Sequence, residues 1–198
     1  MLSWSYGKEQ PTFPWKGQMS LARTLSLEHT SQGLKLKQIL KPDLTKEKPS
    51  FQAKNLVLNG SKTLSGMKFL QDKTYVIEIK VDATNAKQWG IELGDEAKEN
   101  PELTRIGFDE KSQDWFIDRR LSGQIPAPGF DMIQSAPFIP GEEKVLQLVV
   151  DRSTIELLAQ DGLVAISSLR FPKKKETVRL VSYGGELRIK ELRIWEVK

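Results

Sequence analysis

Apolar and polar residues alternate along much of this chain, most clearly between residues 75 and 82. There, Tyr75, Ile77, Ile79 and Val81 occupy every second position. Because successive side chains of a strand point to opposite faces, this pattern predicts a strand with one buried face. Similar short apolar segments predict strands at residues 88–93, 104–109, 115–119, 144–151, 154–159, 163–171, 177–183 and 186–197.

Turn residues separate these predicted strands at short intervals. Arg152-Ser153, Gln160-Asp161-Gly162 and Gly184-Gly185 each predict a tight turn. In Asp161-Gly162 the glycine tolerates the positive φ that hairpins require. Residues 95–103 and 120–137 read as long surface loops. Many short strands joined by turns are typical of an all-β protein. We therefore expect a two-sheet antiparallel β-sandwich, of the concanavalin A or galectin type, with few or no helices.

The composition then excludes several kinds of chemistry. The 198 residues suit one domain, and they include no cysteine and one histidine, His29. Disulfides, thiolate metal sites, a cysteine nucleophile and a multi-histidine metal centre are therefore excluded or disfavoured. His29 lies between Glu28 and Thr30, as in an exposed turn. We expect neither a metal nor another cofactor.

The charges do not indicate nucleic acid as a partner. The 30 basic and 26 acidic residues give a net charge of +4, and they are dispersed along the chain. The one compact basic run, Lys173-Lys174-Lys175, reads as a solvated turn rather than a binding face. No apolar run is long enough to predict a membrane span. No signal peptide is visible, so the signal of an exported parent would lie upstream.

The first 27 residues are rich in aromatic and turn residues. Pro11, Pro14, Trp15 and Gly17 lie close together, which excludes a regular helix or a central strand. We expect the aromatic side chains of this segment either to fold back onto the sandwich or to mediate self-association. These aromatic residues are Trp4, Tyr6, Phe13 and Trp15.

This segment resembles the junction of family 32 glycoside hydrolases, which include levanases, inulinases, invertases and sucrose-6-phosphate hydrolases. In that family the segment leaves a five-bladed catalytic β-propeller and enters a C-terminal β-sandwich. The resemblance implies a junction at residues 1–18 and a sandwich at 19–198, with its first strand between Met19 and Leu27. The matching residues are Trp4, Tyr6, Pro11-Thr12, Trp15-Lys16-Gly17, Met19-Ser20, Arg23 and Leu25-Ser26-Leu27.

Two later segments are also similar to this family. They are Phe116-Ile117-Asp118-Arg119 with Ser122-Gly123, and residues 150–156 with Asp161-Gly162, Ser167 and Phe171-Pro172. The departures are mild: the family usually has arginine at Lys16, proline at Ala22 and an aromatic residue near Leu157 or Leu158. The resemblance covers nearly the whole chain.

The family's catalytic motifs are absent from this sequence. A retaining glycosidase needs a carboxylate nucleophile and a carboxylic acid on either side of the glycosidic bond. In family 32 these residues lie in Asn-Asp-Pro-Asn-Gly, Arg-Asp-Pro and Glu-Cys motifs of the propeller, none of which occurs here. The resemblance implies a non-catalytic accessory sandwich, whose partner is the absent propeller and whose parent is an extracellular bacterial glycosidase.

The acids of this chain are poor candidates for independent catalysis. Asp118, Asp151, Glu156 and Asp161 lie at strand ends or in hairpins. Two of them precede an arginine, and ion pairing lowers the pKa of an aspartate and makes it a weak proton donor. We therefore expect no catalytic residue in this chain.

The same residues are better suited to binding a sugar than to catalysis. A sugar offers hydroxyl groups and an apolar ring face, which charged side chains and an aromatic platform recognise. Trp89 and Tyr183 are further candidates for the platform. Family 66 modules, which bind fructan ends, resemble this sandwich and permit the same function. The predicted carbohydrate-binding residues are Asp118, Arg119, Asp151, Arg152, Glu156 and Trp115.

Two alternatives stay open at this point. The tryptophans could belong to the core and the Asp-Arg pairs could join neighbouring strands. The sandwich could also be a scaffold that packs on the propeller or mediates dimerisation, with no ligand of its own. The sequence does not choose among levan, inulin and sucrose as the sugar.

Overall fold

The computed structural model describes residues 2–3, 11–15, 17–41, 43–64, 73–94 and 101–197. A 3-10 turn, Gln160–Gly162, interrupts strands within these ranges. No helix in the described ranges has the length and apolar character needed to cross a membrane. The predicted all-β class is confirmed. The strands are β1 (Leu2–Ser3), β2 (Gly17–Gln18), β3 (Arg23–Thr30), β4 (Gly33–Leu40), β5 (Phe51–Thr63), β6 (Thr74–Thr84), β7 (Gln88–Gly94), β8 (Leu103–Asp109), β9 (Asp114–Leu121), β10 (Ile133–Pro137), β11 (Val145–Val150), β12 (Thr154–Ala159), β13 (Val164–Leu169) and β14 (Thr177–Val197).

The strands form two layers that are continuous through β14. The pairing order is β10-β9-β8-β7-β14-β6-β11-β12-β13, with β5 also paired to β14 and every named pair antiparallel. The first part of β14 pairs with β7, and its second part pairs with β6. We call β10, β9, β8, β7 and the start of β14 the first layer. The end of β14 with β6, β11, β12 and β13 is the second layer.

Alternate residues of both layers point inward and form one apolar core. Trp89, Phe108 and Trp115 of the first layer belong to the same buried cluster as Ile77 and Leu148 of the second. The rings of Trp89 and Trp115 meet edge to face, with centroids 5.7 Å apart. Edge-to-face contacts of this kind add to the stabilisation from buried apolar area. The predicted sandwich is confirmed, and the outer faces of its layers are left for other contacts.

Some predicted boundaries were wrong. Gly184-Gly185 is not a turn between two strands but an irregularity within β14, where the pairing register with β5 shifts between Ser182 and Glu186. The predicted loop at 120–137 contains the edge strand β10. The first strand that the resemblance implied between Met19 and Leu27 overlaps β3, but β3 pairs with β4 in a separate sheet rather than within the sandwich. Neither β4 nor β5 was predicted, and their apolar positions are mostly exposed.

The β3–β4 hairpin forms a separate two-stranded sheet beside the second layer. Leu40, at its end, packs in a second apolar cluster with Val76, Val149, Leu158 and Trp195 on the outer side of that layer. The Trp195 indole donates to the Glu47 carbonyl over 2.8 Å. The N-terminal part of the chain therefore covers much of the outer face of the second layer.

Candidate functional site

The outer face of the first layer carries a row of alternating charges. Asp118 on β9 lies opposite Arg105 on β8, Arg105 lies opposite Glu92 on β7, and Glu92 lies opposite Arg179 on β14. Arg105 Nε donates to Glu92 Oε1 over 2.9 Å, and Arg179 Nη2 lies 3.1 Å from Glu92 Oε2. Opposite charges on neighbouring strands stabilise a sheet. Here they also hold two arginine side chains in fixed positions on an open face.

Asp118 is held at the end of this row by Arg120. The guanidinium of Arg120 donates to both carboxylate oxygens over 2.9 and 2.7 Å, and its backbone N–H donates over 3.1 Å. Burial alone would raise the pKa of Asp118, but these contacts outweigh burial and hold the pKa below its usual range. Asp118 is therefore an ionised hydrogen-bond acceptor and a poor proton donor.

A groove of about 580 Å³ runs beside the charged row. Gly107 lies between the lining residues Arg105 and Asp109 on β8, and it is opposite Gly90 on β7. A Cβ on Gly107 would come within 2.0 Å of the Trp89 carbonyl oxygen, so the close approach of the two strands requires glycine. Gly107 therefore adds no side chain to the groove, whereas Phe116, which lies opposite it on β9, lines the groove. The groove is lined by Gln88, Arg105, Asp109, Ser112, Asp114, Phe116, Asp118, Arg120, Ile133 and Ser135.

Some polar groups of the groove make hydrogen bonds within the protein, and others are available to a ligand. Asp109 accepts from Gln88 Nε2 over 3.1 Å and from the backbone N–H groups of Lys111 and Ser112. Burial alone would raise the pKa of Asp109, but the hydrogen bonds from the two backbone N–H groups and the Gln88 amide outweigh burial and hold the pKa below its usual range. Among the described residues, no hydrogen bond engages the terminal nitrogens of Arg105 or the Ser135 hydroxyl. These groups can exchange hydrogen bonds with a ligand's hydroxyls.

Tyr183 adds a partly exposed ring at the β14 side. Its hydroxyl donates to Glu92 Oε1 over 2.6 Å. Burial and this contact with a carboxylate raise the pKa of Tyr183 to about 12. The phenol is therefore neutral and fixed in orientation, with 39% of the residue exposed.

Trp115 does not offer the predicted aromatic platform. The residue is fully buried in the core, as is the alternative Trp89. The Trp115 indole donates to Gln160 Oε1 over 3.3 Å, and that amide also bonds both backbone polar groups of Ile139. The reason is the parity of β9, which turns Trp115 inward and Asp118 outward.

Arg119 also faces away from the groove. Its Nη1 donates to the Leu169 carbonyl over 3.1 Å, and its guanidinium lies 4.0 Å from the centre of the Phe130 ring. Burial lowers the pKa of Arg119. The partner of Asp118 is thus Arg120 rather than the adjacent Arg119, because residues two apart share a face of a strand.

Asp151 and Arg152 lie at the β11–β12 turn of the second layer. Asp151 Oδ1 accepts from the backbone N–H of Arg152 over 2.8 Å and from Thr74 Oγ1 over 3.2 Å. Arg152 is exposed. The structure therefore places this pair apart from Asp118, and its role in sugar binding stays a prediction.

Glu156 is a residue of β12, and the N-terminal segment of the chain covers it. Its carboxylate accepts from the Arg23 guanidinium, from Ser167 Oγ and, over 3.3 Å, from the Leu21 backbone N–H. Arg23 also donates to Gln38 Oε1 over 2.8 Å. The Glu156 side chain is 3% exposed. Its geometry supports anchoring of the hairpin, and contact with a sugar stays a prediction.

Several groove residues were not predicted. Alternation along β7 and β8 could have indicated them, because it places Gln88, Glu92, Arg105 and Asp109 on the face opposite the apolar residues. The sequence alone does not show the register that aligns these residues across the two strands. Within the described residues, no group of three or more histidine or acidic side chains could hold a metal.

Comparisons with known proteins agree with this fold. The chain is 30% identical to a levanase of Bacillus subtilis over its full length, which is 30% of that protein. It is 26% identical to a levanase of Bacillus sp. strain L7, over 98% of this chain and 21% of that protein. The crystal structure of an exo-inulinase from Aspergillus awamori superposes with a TM-score of 0.80 and 23% identity, covering 98% of this chain and 38% of that one.

This chain thus spans about a third or less of the curated relatives named above. The model of a protein family, described as the C-terminal part of glycosyl hydrolases family 32, matches residues 41–196. The predicted likeness to family 66 modules stays a prediction, as does the domain boundary at residue 18. The match covers most of the chain, which therefore belongs to the family of C-terminal β-sandwich domains of family 32 glycoside hydrolases.

Proposed function

We propose that this chain is the non-catalytic accessory sandwich of a family 32 fructan hydrolase, and that it binds fructan chains in the groove beside Asp118. The observation that carries the proposal is the groove itself, where oriented donors and acceptors surround the Phe116 ring. A fructan is neutral and rich in hydroxyls, each of which donates and accepts. The relatives named levanase and exo-inulinase support fructan as the polymer.

The roles of the groove residues follow from their contacts. Asp118 accepts from sugar hydroxyls, and its pairing with Arg120 keeps it ionised. Arg105 donates through its terminal nitrogens, because Glu92 holds only its Nε among the described residues. Charge-assisted hydrogen bonds of this kind are stronger than those between neutral groups. Donors and acceptors held by other side chains lose little entropy on binding.

Calorimetric titration with levan and inulin oligosaccharides tests the proposal. We expect saturable binding without hydrolysis. Loss of a hydrogen bond to a charged group costs about 1.5–3 kcal/mol, so Asp118→Asn should weaken binding by about tenfold to a hundredfold. Asp82→Asn, an exposed aspartate on β6, is the matched control and should bind like the wild type. Absence of binding to both polymers would overturn the proposal.

A second candidate function is docking to another domain through the β3–β4 hairpin. Leu25 and Leu27 on β3 share a face with Leu34 and Leu36 on β4, and Leu27 lies opposite Leu36. All four are exposed, as are Phe13 and Trp15; Trp4 and Tyr6 lie outside the described residues. Contiguous exposed apolar patches mark interaction sites. We propose the catalytic propeller as the partner, and dimerisation as its alternative.

A binding assay with a separately produced family 32 catalytic domain tests this second function. The double variant Leu27→Lys, Leu36→Lys should abolish capture of that domain. The control variant Thr24→Lys, Ser26→Lys changes exposed residues on the other face of β3 and should be captured like the wild type. If the wild type neither captures the domain nor forms dimers by light scattering, the docking function fails.

A further inference from the structure

We infer that Glu92 is a positioning residue of the groove, which holds Arg105 away from Asp118 so that both side chains stay available to a ligand. Glu92 itself is not among the residues that line the groove. The inference rests on the proposed function, since it concerns the same groove. It follows from the position of Arg105 between two acids and from the contacts that bring it to one of them.

Arg105 has a carboxylate on each side. It is directly opposite Glu92 on β7 and directly opposite Asp118 on β9. Directly opposite side chains of neighbouring strands have Cβ atoms about 4.5–5.5 Å apart, so the long guanidinium side chain can reach either acid. Its Nε donates to Glu92 Oε1 over 2.9 Å, whereas no hydrogen bond among the described residues joins it to Asp118. The structure therefore shows one of two possible pairings.

Two side chains of β14 fix the carboxylate of Glu92. Tyr183 donates its hydroxyl hydrogen to Glu92 Oε1 over 2.6 Å, and Arg179 Nη2 lies 3.1 Å from Glu92 Oε2. Each carboxylate oxygen therefore has a partner on β14, and the Glu92 side chain is 3% exposed. A satisfied buried network of this kind is rigid. Arg105 consequently meets an acceptor of fixed position on its β7 side.

Asp118 keeps one acceptor site because Arg105 does not pair with it. A carboxylate offers about four acceptor sites, and Arg120 uses three of those of Asp118, two on Oδ1 and one on Oδ2. Burial raises the pKa of Asp118, the contacts with Arg120 lower it, and Arg105 lowers it further through its charge alone. Ile133, the residue opposite Asp118 on β10, carries no charge. A ligand hydroxyl can therefore donate to Oδ2.

Loss of Glu92 would remove this separation. Arg105 would turn to the carboxylate on its other side, fill the last acceptor site of Asp118 and engage its own donors there. The groove would then lose a donor and an acceptor together, although neither residue had been changed. Glu92 thus acts on the ligand only through Arg105 and Asp118.

Titration of the Asp118 carboxyl chemical shift in the sugar-free protein tests the inference. In Glu92→Gln we expect the pKa of Asp118 to fall below that of the wild type, because Arg105 then bonds its carboxylate. Glu92→Asp keeps the charge but shortens the side chain, and it should lower the pKa of Asp118 in the same direction. Thermal unfolding of each variant verifies that it is folded.

The control is the same substitution in a background without the arginine. Removing the charge of Glu92 also favours ionised Asp118 through space, so Glu92→Gln is repeated in the Arg105→Gln variant. There the fall in the pKa of Asp118 should be clearly smaller. A comparison of this kind isolates the part of the effect that passes through Arg105.

Fructan titration by calorimetry gives the second readout. Glu92→Gln should weaken binding by about tenfold, because the charge-assisted hydrogen bonds of Arg105 and Asp118 are lost to the ligand. In the Arg105→Gln background the same substitution should weaken binding little further. The matched control is Glu186→Gln, which removes an acid paired with Arg188 on β14 and should bind like the wild type.

The outcomes separate the inference from the proposed function. If Asp118 titrates alike in the wild type and in both Glu92 variants, the inference is wrong whether or not fructan binds. An equal fall in the pKa of Asp118 with and without Arg105 would also overturn it, because charge alone would then explain the change. If Asp118 titrates as expected but the wild type binds no fructan, the separation of Arg105 from Asp118 stands and the proposed function fails.

Discussion

On the outer face of the first layer Asp118 pairs with Arg120, whose side chain is 55% exposed; on the second layer Glu156 pairs with Arg23, which is 12% exposed. Both pairs join an acid on a strand to a neighbouring arginine. The difference comes from the β3–β4 hairpin and the segment around it, which cover the second face and leave the first open. The same residue types therefore anchor the chain on one face and are available to a ligand on the other.

The largest difference should appear when each acid is removed. Glu156→Ala leaves Arg23 buried without its carboxylate, and loss of one partner of a buried pair costs about 3–5 kcal/mol. We expect the free energy of unfolding, measured with denaturant, to fall by that amount. Glu156→Gln keeps an acceptor for Ser167 and Leu21 and should lose less. A change below about 0.5 kcal/mol for Glu156→Ala would show that the hairpin is not held there.

The corresponding change on the open face should cost much less stability. Asp118→Ala frees a guanidinium that already lies in water, and such pairs contribute at most about 1 kcal/mol. We expect the unfolding midpoint to move little while fructan binding is lost. If Asp118→Ala destabilises the protein as much as Glu156→Ala does, the two faces are equivalent and the comparison fails.

Lowering the pH should weaken fructan binding on the open face, because Asp118 becomes protonated. Its pKa lies below the ordinary value of about 3.9. A group with a depressed folded-state pKa contributes stability above its unfolded pKa, and this is lost as pH falls through the folded pKa. We expect fructan affinity to be constant from neutral pH to about 4 and to decline below it. In the Asp118→Asn variant the remaining affinity should lack this decline.

Raising the pH should have the smallest effect, a loss of stability as the Tyr183 phenol ionises. The folded-state pKa is about 12, above the ordinary value of about 10. The stability that the neutral phenol contributes is therefore complete below pH 10 and is lost as pH rises toward 12. Burial also raises the pKa of Tyr75, so spectrophotometric titration of tyrosinate should show late ionisation of both residues, and Tyr183→Phe should remove one of the two. Ionisation near pH 10 would mean that Glu92 does not hold the phenol.

The two faces also show how far the sequence can predict this molecule. Period-two alternation located most strands from β6 onward, and the resemblance to family 32 predicted the sandwich. The resemblance also implied a strand between Met19 and Leu27, which overlaps β3. Neither signal predicted that this strand pairs with β4 in a hairpin that covers Glu156, because Leu25 and Leu27 are exposed and their alternation does not mark the core. Asp118 was predicted, but Arg120 and Arg105 were not, since their approach depends on strand register. Trp115 was predicted at the surface but is buried, because alternation does not show which face of a strand is exposed to solvent.

Amide chemical-shift mapping with a fructan tetrasaccharide tests the central claim most directly, because it reports every face of the molecule at once. If the groove on the open face binds fructan, the largest shifts will fall on β7, β8 and β9, around Gln88, Arg105 and Asp118. The β11–β12 turn and the residues near Glu156 will stay unchanged. Largest shifts at Asp151 and Arg152, or no shifts at all at saturating sugar, would contradict the account.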